Sequence, residues 1–150
     1  DKVIGMHFFN PAVIMKLVEI IRGDDTSDET VAAAKNFTES LGKVPIATFK
    51  EAPGGIVSRV LSGLLKEAAA VYADGIASAK NIDDAMKLGA VLPMGPLDLI
   101  DMIGLDIHLA KMETLYKKIN DERYKAPVII REIVTAGKLG RKAGDGFYKY

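Results

Sequence analysis

The feature that most constrains this chain is a change of hydrophobic period at Lys50-Glu51-Ala52-Pro53-Gly54-Gly55. Proline lacks a backbone donor and paired glycines favour no regular conformation, so no periodic element runs through this stretch. Before it, short β-type runs surround a single helix. After it, every periodic segment is helical. The chain therefore divides into two differently built regions.

In the first region, Val3-Ile4-Gly5-Met6-His7-Phe8-Phe9 is an apolar run closed by Asn10-Pro11. It reads as a strand buried on both faces, although periodicity alone also permits a helix. Leu17-Val18-Glu19-Ile20-Ile21 is a second strand, and residues 11–16 form a turn or short helical turn between the two. Thr26 and Glu29 match a capping box, followed by Val31, Ala34, Phe37 and Leu41 at helical spacing, with Gly42 as terminator. Val44-Pro45-Ile46-Ala47-Thr48-Phe49 is a third strand, whose proline places it at an edge or makes it a strand start. So few strands make a marginal sheet, which leads to the expectation that the chain is cut from a larger protein.

In the second region a long helix carries Ile56, Val60, Leu61, Leu64, Leu65, Ala68 and Tyr72 on one wide apolar face. Shorter helices are predicted near 81–88, 96–103, 105–119 and 127–136, stopped by Gly89, Gly104, Asn120 and Gly137. The closing Gly140–Tyr150 stretch is basic and Gly-rich. It reads as a solvated tail, or as a turn that offers Arg141 or Lys142 to a cofactor phosphate.

Twenty Lys and Arg balance twenty Asp and Glu. A sequence-independent nucleic-acid binder needs a cationic excess to displace phosphate counterions, so that class is set aside. No apolar run approaches the roughly 20 residues of a membrane span, and the start lacks a signal-peptide layout. With no cysteine, disulfides and thiolate chemistry are excluded. These features fit a cytoplasmic protein.

Two residues stand out chemically. His7 lies inside an apolar strand, where it is either a core histidine or an acid–base group usable near neutral pH. Glu19 is a carboxylate flanked by Leu17, Val18, Ile20 and Ile21, so it needs a partner if buried. If the two strands pair antiparallel about the 10–16 turn, His7 and Glu19 project from one face and can touch. Such a carboxylate would hold the imidazole in one tautomer and stabilise its protonated form. His108, in a helix rich in Leu and Ile, reads as a structural or a surface residue. No metal-ligand spacing, G-x-G-x-x-G fingerprint or P-loop occurs in the sequence.

At His7-Phe8-Phe9-Asn10-Pro11 and Met15-Lys16-Leu17-Val18-Glu19 the chain resembles 3-hydroxyacyl-CoA dehydrogenases. The likeness continues through Lys50–Gly54, Ala85–Ala90, Pro93–Leu97, Ile103–Asp106, Gly140–Lys142 and Gly146–Tyr150, in the family's order. The resemblance implies a mainly α chain: an all-helical dimerisation and substrate domain, residues 53–150, preceded by the last strands and helix of a Rossmann-like NAD-binding α/β domain, residues 1–52. It implies an (S)-3-hydroxyacyl-CoA substrate, NAD as cofactor, His7 as general base and Glu19 as its support. Asn10 and Lys142 match positions that contact NAD. A homodimer through the helical domain is implied, with no membrane or nucleic-acid partner. Whether the parent chain is a plain dehydrogenase or one fused to an enoyl-CoA hydratase domain stays open. Most of the NAD site, including the glycine fingerprint, is expected before Asp1, so this chain alone is expected to be inactive.

Three departures qualify the likeness. Ser58 stands where the family usually has an asparagine beside the substrate carbonyl, and its shorter hydroxyl can still donate. Gly55 replaces a bulky aromatic, and Leu92 replaces a residue that is often polar. They point to an altered chain-length preference or a weakened active site. Two other readings therefore compete: a non-catalytic helical oligomerisation module, and a dehydrogenase of free 3-hydroxy acids.

Overall fold

The computed structural model describes all residues, 1–150. It divides into two compact units, Asp1–Arg59 and Val60–Tyr150.

The first unit is an α/β unit. Strand β1 (Gly5–Phe8) pairs antiparallel with β2 (Leu17–Ile21), helix α1 (Asp28–Ser40) follows, and β3 (Val44–Ala47) returns parallel to β2. The sheet order is β1-β2-β3. A parallel return needs a crossover, and α1 supplies it by laying Ala34 against Val18 and Ile20, both with no exposed surface. Complete burial of such aliphatic side chains contributes roughly 1.5–3 kcal/mol each. The turn between β1 and β2 is one short helical turn, in which the Ile14 and Met15 N–H groups donate to the Pro11 carbonyl.

Three expectations change here. The mainly α description does not hold, because the first unit has its own sheet, crossover helix and apolar core. The helical periods past Pro53 outweigh three short strands in a residue count, but parallel β2–α1–β3 is an α/β building block in its own right. β1 is not buried on both faces, since it lies at one edge of the sheet and its residues are exposed or half-buried. Helix α1 is capped by Ser27, whose Oγ accepts the Thr30 N–H at 3.2 Å, rather than by Thr26. The Thr26 hydroxyl is committed elsewhere: it donates to the Val3 carbonyl and accepts the Gly23 N–H.

The long helix α2 (Gly55–Ala73) begins in the first unit and continues into the second. The second unit adds α3 (Ala79–Gly89), α4 (Pro96–Ile103), α5 (Leu105–Ile119) and α6 (Val128–Thr135). Leu65, Ala69, Leu97, Ile100, Leu105 and Ile130 form its core, each essentially without exposed surface. Gly104, at φ 100°, ends α4 and starts α5 within one residue. Asn120 closes α5 in the left-handed region, which a short polar side chain tolerates.

The C-terminal stretch is not a solvated tail. The buried Asp101 carboxylate accepts the Phe147 and Tyr148 N–H groups at 3.0 and 2.9 Å. A Cβ on Gly146 would fall 2.3 Å from Asp101 Oδ1, so the tail can lie this close to α4 only through glycine. Burial pushes the Asp101 carboxyl up, while the two backbone donors pull it down.

Candidate active site

β1 and β2 place His7 directly opposite Glu19 in the strand register. His7 Nδ1 lies 2.9 Å from Glu19 Oε2. The imidazole is 42% exposed, whereas Glu19 has no exposed side-chain surface. A completely buried carboxylate with one partner would leave an oxygen unsatisfied. The start of α2 resolves this, because Glu19 Oε1 accepts the Ile56 and Val57 N–H groups at 2.9 and 2.8 Å. The first N–H groups of a helix have no intrahelical partner and carry its positive dipole end, so they suit an anion. Both carboxylate oxygens are thus engaged, one by the helix and one by the imidazole.

Chemistry fixes the proton. An ionised carboxylate only accepts, so His7 Nδ1 carries the hydrogen and Nε2 becomes the ring's acceptor. The Phe9 ring lies 4.5 Å from the imidazole, centroid to centroid, and braces its orientation. The arrangement can take a proton at Nε2 and hold the resulting imidazolium beside a buried anion.

Gly55 has a specific part in this geometry. Its φ is 64°, and a Cβ there would lie 2.1 Å from Glu19 Oε2. Ser58 follows in the first turn of α2, one residue beyond the Val57 N–H that holds Glu19. Asn10 is exposed, two residues past the end of β1.

Lys142 belongs to the second unit, where its ammonium binds both Asp106 carboxylate oxygens at 2.6 and 2.7 Å. That ammonium is the main cause holding the Asp106 carboxyl below its usual range. Arg141 donates to Asp98 at 2.7 Å and lies 5.5 Å from the Tyr150 ring centroid. Both cations of the basic turn are therefore paired within the protein. His108 sits in α5 with 2% exposure and an Nε2 that has no partner. Burial, with Lys111 second, lowers its pKa to about 4 and keeps it neutral. No group of three or more His, Asp or Glu side chains is arranged to hold a metal ion.

Sequence reasoning missed the α2 contribution to Glu19. A signal was present: Pro53-Gly54-Gly55 directly before a long helix leaves its first N–H groups uncapped by any Ser, Thr, Asp or Asn.

The comparisons with known proteins cover both units. Residues 54–150 match the family model of the 3-hydroxyacyl-CoA dehydrogenase C-terminal domain, and residues 1–52 match that of the 3-hydroxyacyl-CoA dehydrogenase NAD binding domain. The chain belongs to the 3-hydroxyacyl-CoA dehydrogenase family. The match over residues 1–52 also overturns the mainly α description, since this part is assigned to a nucleotide-binding α/β domain. Among relatives in the family, a 3-hydroxybutyryl-CoA dehydrogenase from Clostridioides difficile is 51% identical over 150 residues, covering 100% of this chain and 53% of that protein. The human hydroxyacyl-coenzyme A dehydrogenase, mitochondrial, is 42% identical over 151 residues, covering 100% of this chain and 48% of that protein. The crystal structure of an (S)-3-hydroxybutyryl-CoA dehydrogenase from Ralstonia eutropha superposes with a TM-score of 0.94 at 52% identity, over 98% of this chain and 52% of that one. The chain spans about half the length of the curated relatives it matches.

Proposed function

We propose that this chain is part of an NAD-dependent (S)-3-hydroxyacyl-CoA dehydrogenase that interconverts 3-hydroxyacyl-CoA and 3-oxoacyl-CoA in fatty-acid metabolism. The observation that carries the reading is the His7–Glu19 pair, a half-exposed imidazole held by a completely buried carboxylate at 2.9 Å. Family membership and the NAD binding domain match supply the substrate class and the cofactor.

The donor set suits the reacting end of such a cofactor. His7 is partly exposed and its anchored Nδ1 leaves Nε2 as acceptor, while the exposed Asn10 amide can both donate and accept. NAD, when bound, supplies the acceptor for the hydride leaving C3 of the substrate. His7 Nε2 takes the hydroxyl proton from the oxygen on the same carbon, and Glu19 stabilises the imidazolium. In reduction, His7 returns that proton to the developing alkoxide. Ser58 is assigned as donor to the substrate carbonyl oxygen, and Asn10 and Lys142 as NAD contacts. Asp106 occupies two of the three Lys142 ammonium donors, which leaves one for a cofactor oxygen.

On this reading residues 1–52 are the C-terminal end of the NAD-binding domain and residues 53–150 the helical domain. The two family matches, 1–52 and 54–150, support that division. The proposal includes a homodimer through the helical domain. An apolar groove on α2 and α3, lined by Leu64, Val71, Ile82 and Met86, supports it. A monomeric mass for the full-length protein in solution would remove that part. A cytoplasmic location is also proposed, supported by the likeness to bacterial relatives. No helix is long and apolar enough to cross a membrane.

The test is NADH-dependent reduction of acetoacetyl-CoA by the full-length protein and its His7→Gln variant, with free acetoacetate as the competing substrate. Turnover of the thioester alone, lowered about 10³-fold in the variant, is the expected result. Equal rates for variant and parent would remove His7 from the chemistry. Preference for the free acid would overturn the acyl-CoA assignment.

A further inference from the structure

We infer that Lys43 is a positioning residue for the cofactor side of the site, because its ammonium pins the turn that adjoins Asn10. The inference rests on the dehydrogenase reading, in which Asn10 contacts NAD. The turn that links His7 to Glu19 has no apolar core of its own. Residues 10–16 are all exposed, Val13 at 91% and Ile14 at 71%. Strand β1, which leads into the turn, is four residues long and lies at an edge of the sheet, paired with β2 on one side. Burial therefore does not fix this segment, and hydrogen bonds have to. Within the turn, the Ile14 and Met15 N–H groups both donate to the Pro11 carbonyl. Carbonyls further along it are met from elsewhere in the chain: Lys43 Nζ donates to Ala12 O at 2.5 Å and to Met15 O at 2.9 Å. The free carbonyls of a helical turn carry its negative dipole end, so an ammonium suits them.

The anchor is itself fixed. Lys43 is partly buried at the corner between α1 and β3, where its N–H donates to the Thr38 carbonyl. The next N–H, of Val44, donates to the Lys16 carbonyl at 2.8 Å. The backbone is thus tied both to the end of α1 and to the start of the β2–β3 ladder. From this corner the side chain reaches back across 31 and 28 residues of sequence to Ala12 and Met15. Two of its three ammonium donors hold two separate carbonyls, which sets the tilt of the turn as well as its position. Asn10 adjoins that turn directly, whereas His7 is held by its register with Glu19. Loss of the ammonium therefore loosens Asn10 and leaves the base in place.

The experiment uses the full-length protein with Lys43→Met, Lys43→Arg, Asn10→Ala and Lys35→Met variants, and the double variant Lys43→Met with Asn10→Ala. Two quantities are read: kcat and KM for NADH in the reduction of acetoacetyl-CoA, and hydrogen exchange of the Ile14 and Met15 amides. Lys43→Met keeps an apolar stem and removes the charge. It is expected to raise KM for NADH about tenfold, to leave kcat within about threefold and to speed exchange at both amides about tenfold. Lys43→Arg keeps cationic donors and should restore most of both. In the Asn10→Ala background, Lys43→Met should raise KM by less than about twofold, because residues that act through one contact are not additive. Lys35→Met removes the same charge from an exposed position of α1 and should change neither quantity. If Lys35→Met raised KM as far as Lys43→Met, the effect would belong to overall charge and the inference would be overturned. An additive KM shift in the Asn10→Ala background, or unchanged amide exchange in Lys43→Met, also overturns it. Faster exchange in Lys43→Met when the parent itself shows no turnover sustains the anchored turn and instead overturns the dehydrogenase reading.

Discussion

Each unit contains the same device, and the two copies end in different chemistry. In the first unit Glu19 accepts the Ile56 and Val57 N–H groups at the start of α2. In the second, buried Asp83 accepts the Leu97 and Asp98 N–H groups at the start of α4, at 2.8 and 2.9 Å. Each carboxylate also lies where a glycine's Cβ would stand, at 2.1 Å from Glu19 Oε2 for Gly55 and 2.1 Å from Asp83 Cγ for Gly95. The difference is the third partner. Glu19 holds a half-exposed imidazole, whereas Asp83 accepts the Tyr148 hydroxyl at 2.7 Å. Burial, and then the Asp83 bond, push the Tyr148 phenol well above its usual range. A phenol so placed neither gives up nor takes a proton near neutrality, so that clamp only ties the C-terminal stretch to α3 and α4. An imidazole in the same role can cycle its proton. A buried carboxylate on a helix start is therefore no sign of catalysis by itself; what it presents to solvent decides.

The comparison can be broken most sharply at Glu19. In Glu19→Gln, the amide oxygen stays with the two helix donors, so the amide nitrogen faces His7 Nδ1. Two donors cannot meet, and the ring must switch its hydrogen to Nε2, leaving no acceptor for the substrate proton. We expect kcat to fall about 10³- to 10⁴-fold, or ~4–5.5 kcal/mol, with the fold retained. A fall of less than tenfold in steady-state assays would show that the carboxylate does not set the tautomer.

The matching change in the second unit should act on stability instead. Asp83→Asn removes the charge from three hydrogen bonds and sets an amide donor against at least one N–H or O–H group. A loss of about 3 kcal/mol in denaturant unfolding is expected, with kcat unchanged. If kcat fell as far as in Glu19→Gln, the division between a chemical and a structural clamp would be wrong.

A smaller effect separates the pH responses of stability and activity. His108 is buried with its pKa lowered to about 4 from 6.5, so between those values the unfolded chain binds a proton that the folded one refuses. Its contribution is complete above pH 6.5 and is lost as pH falls through that window, by roughly 3–3.5 kcal/mol at most. Replacing His108 with Leu should flatten the decline in unfolding free energy between pH 6.5 and 4. An equally steep decline in that variant would point to other groups.

Much of this molecule was legible in advance, for reasons that can be located. The α5 helix is predicted over 105–119 and runs Leu105–Ile119, because glycine and asparagine punctuate both ends. Strand β2 is likewise read at its full length, because an apolar run between a turn and Arg22-Gly23 admits little else. The His7–Glu19 contact followed from their equal distances to one turn. Errors came where a side chain had a distant use. Thr26 looks like a cap from spacing alone, but its hydroxyl is drawn to Val3, 23 residues away. The Gly-rich terminus looks solvated because nothing nearby in sequence pairs with it, while Asp101 does so from 46 residues away.

The amino-acid sequence by itself determined the two kinds of region, the positions of the helices and the need for Glu19 to find a partner. These depend on local periodicity, on backbone breakers and on the energy of burying charge, all of which act within a few residues. Only the tertiary structure decided which N–H groups complete that carboxylate and which of two similar clamps faces solvent. Those outcomes depend on hydrogen bonds and close approaches between segments far apart in the chain, whose geometry exists only once the chain is folded.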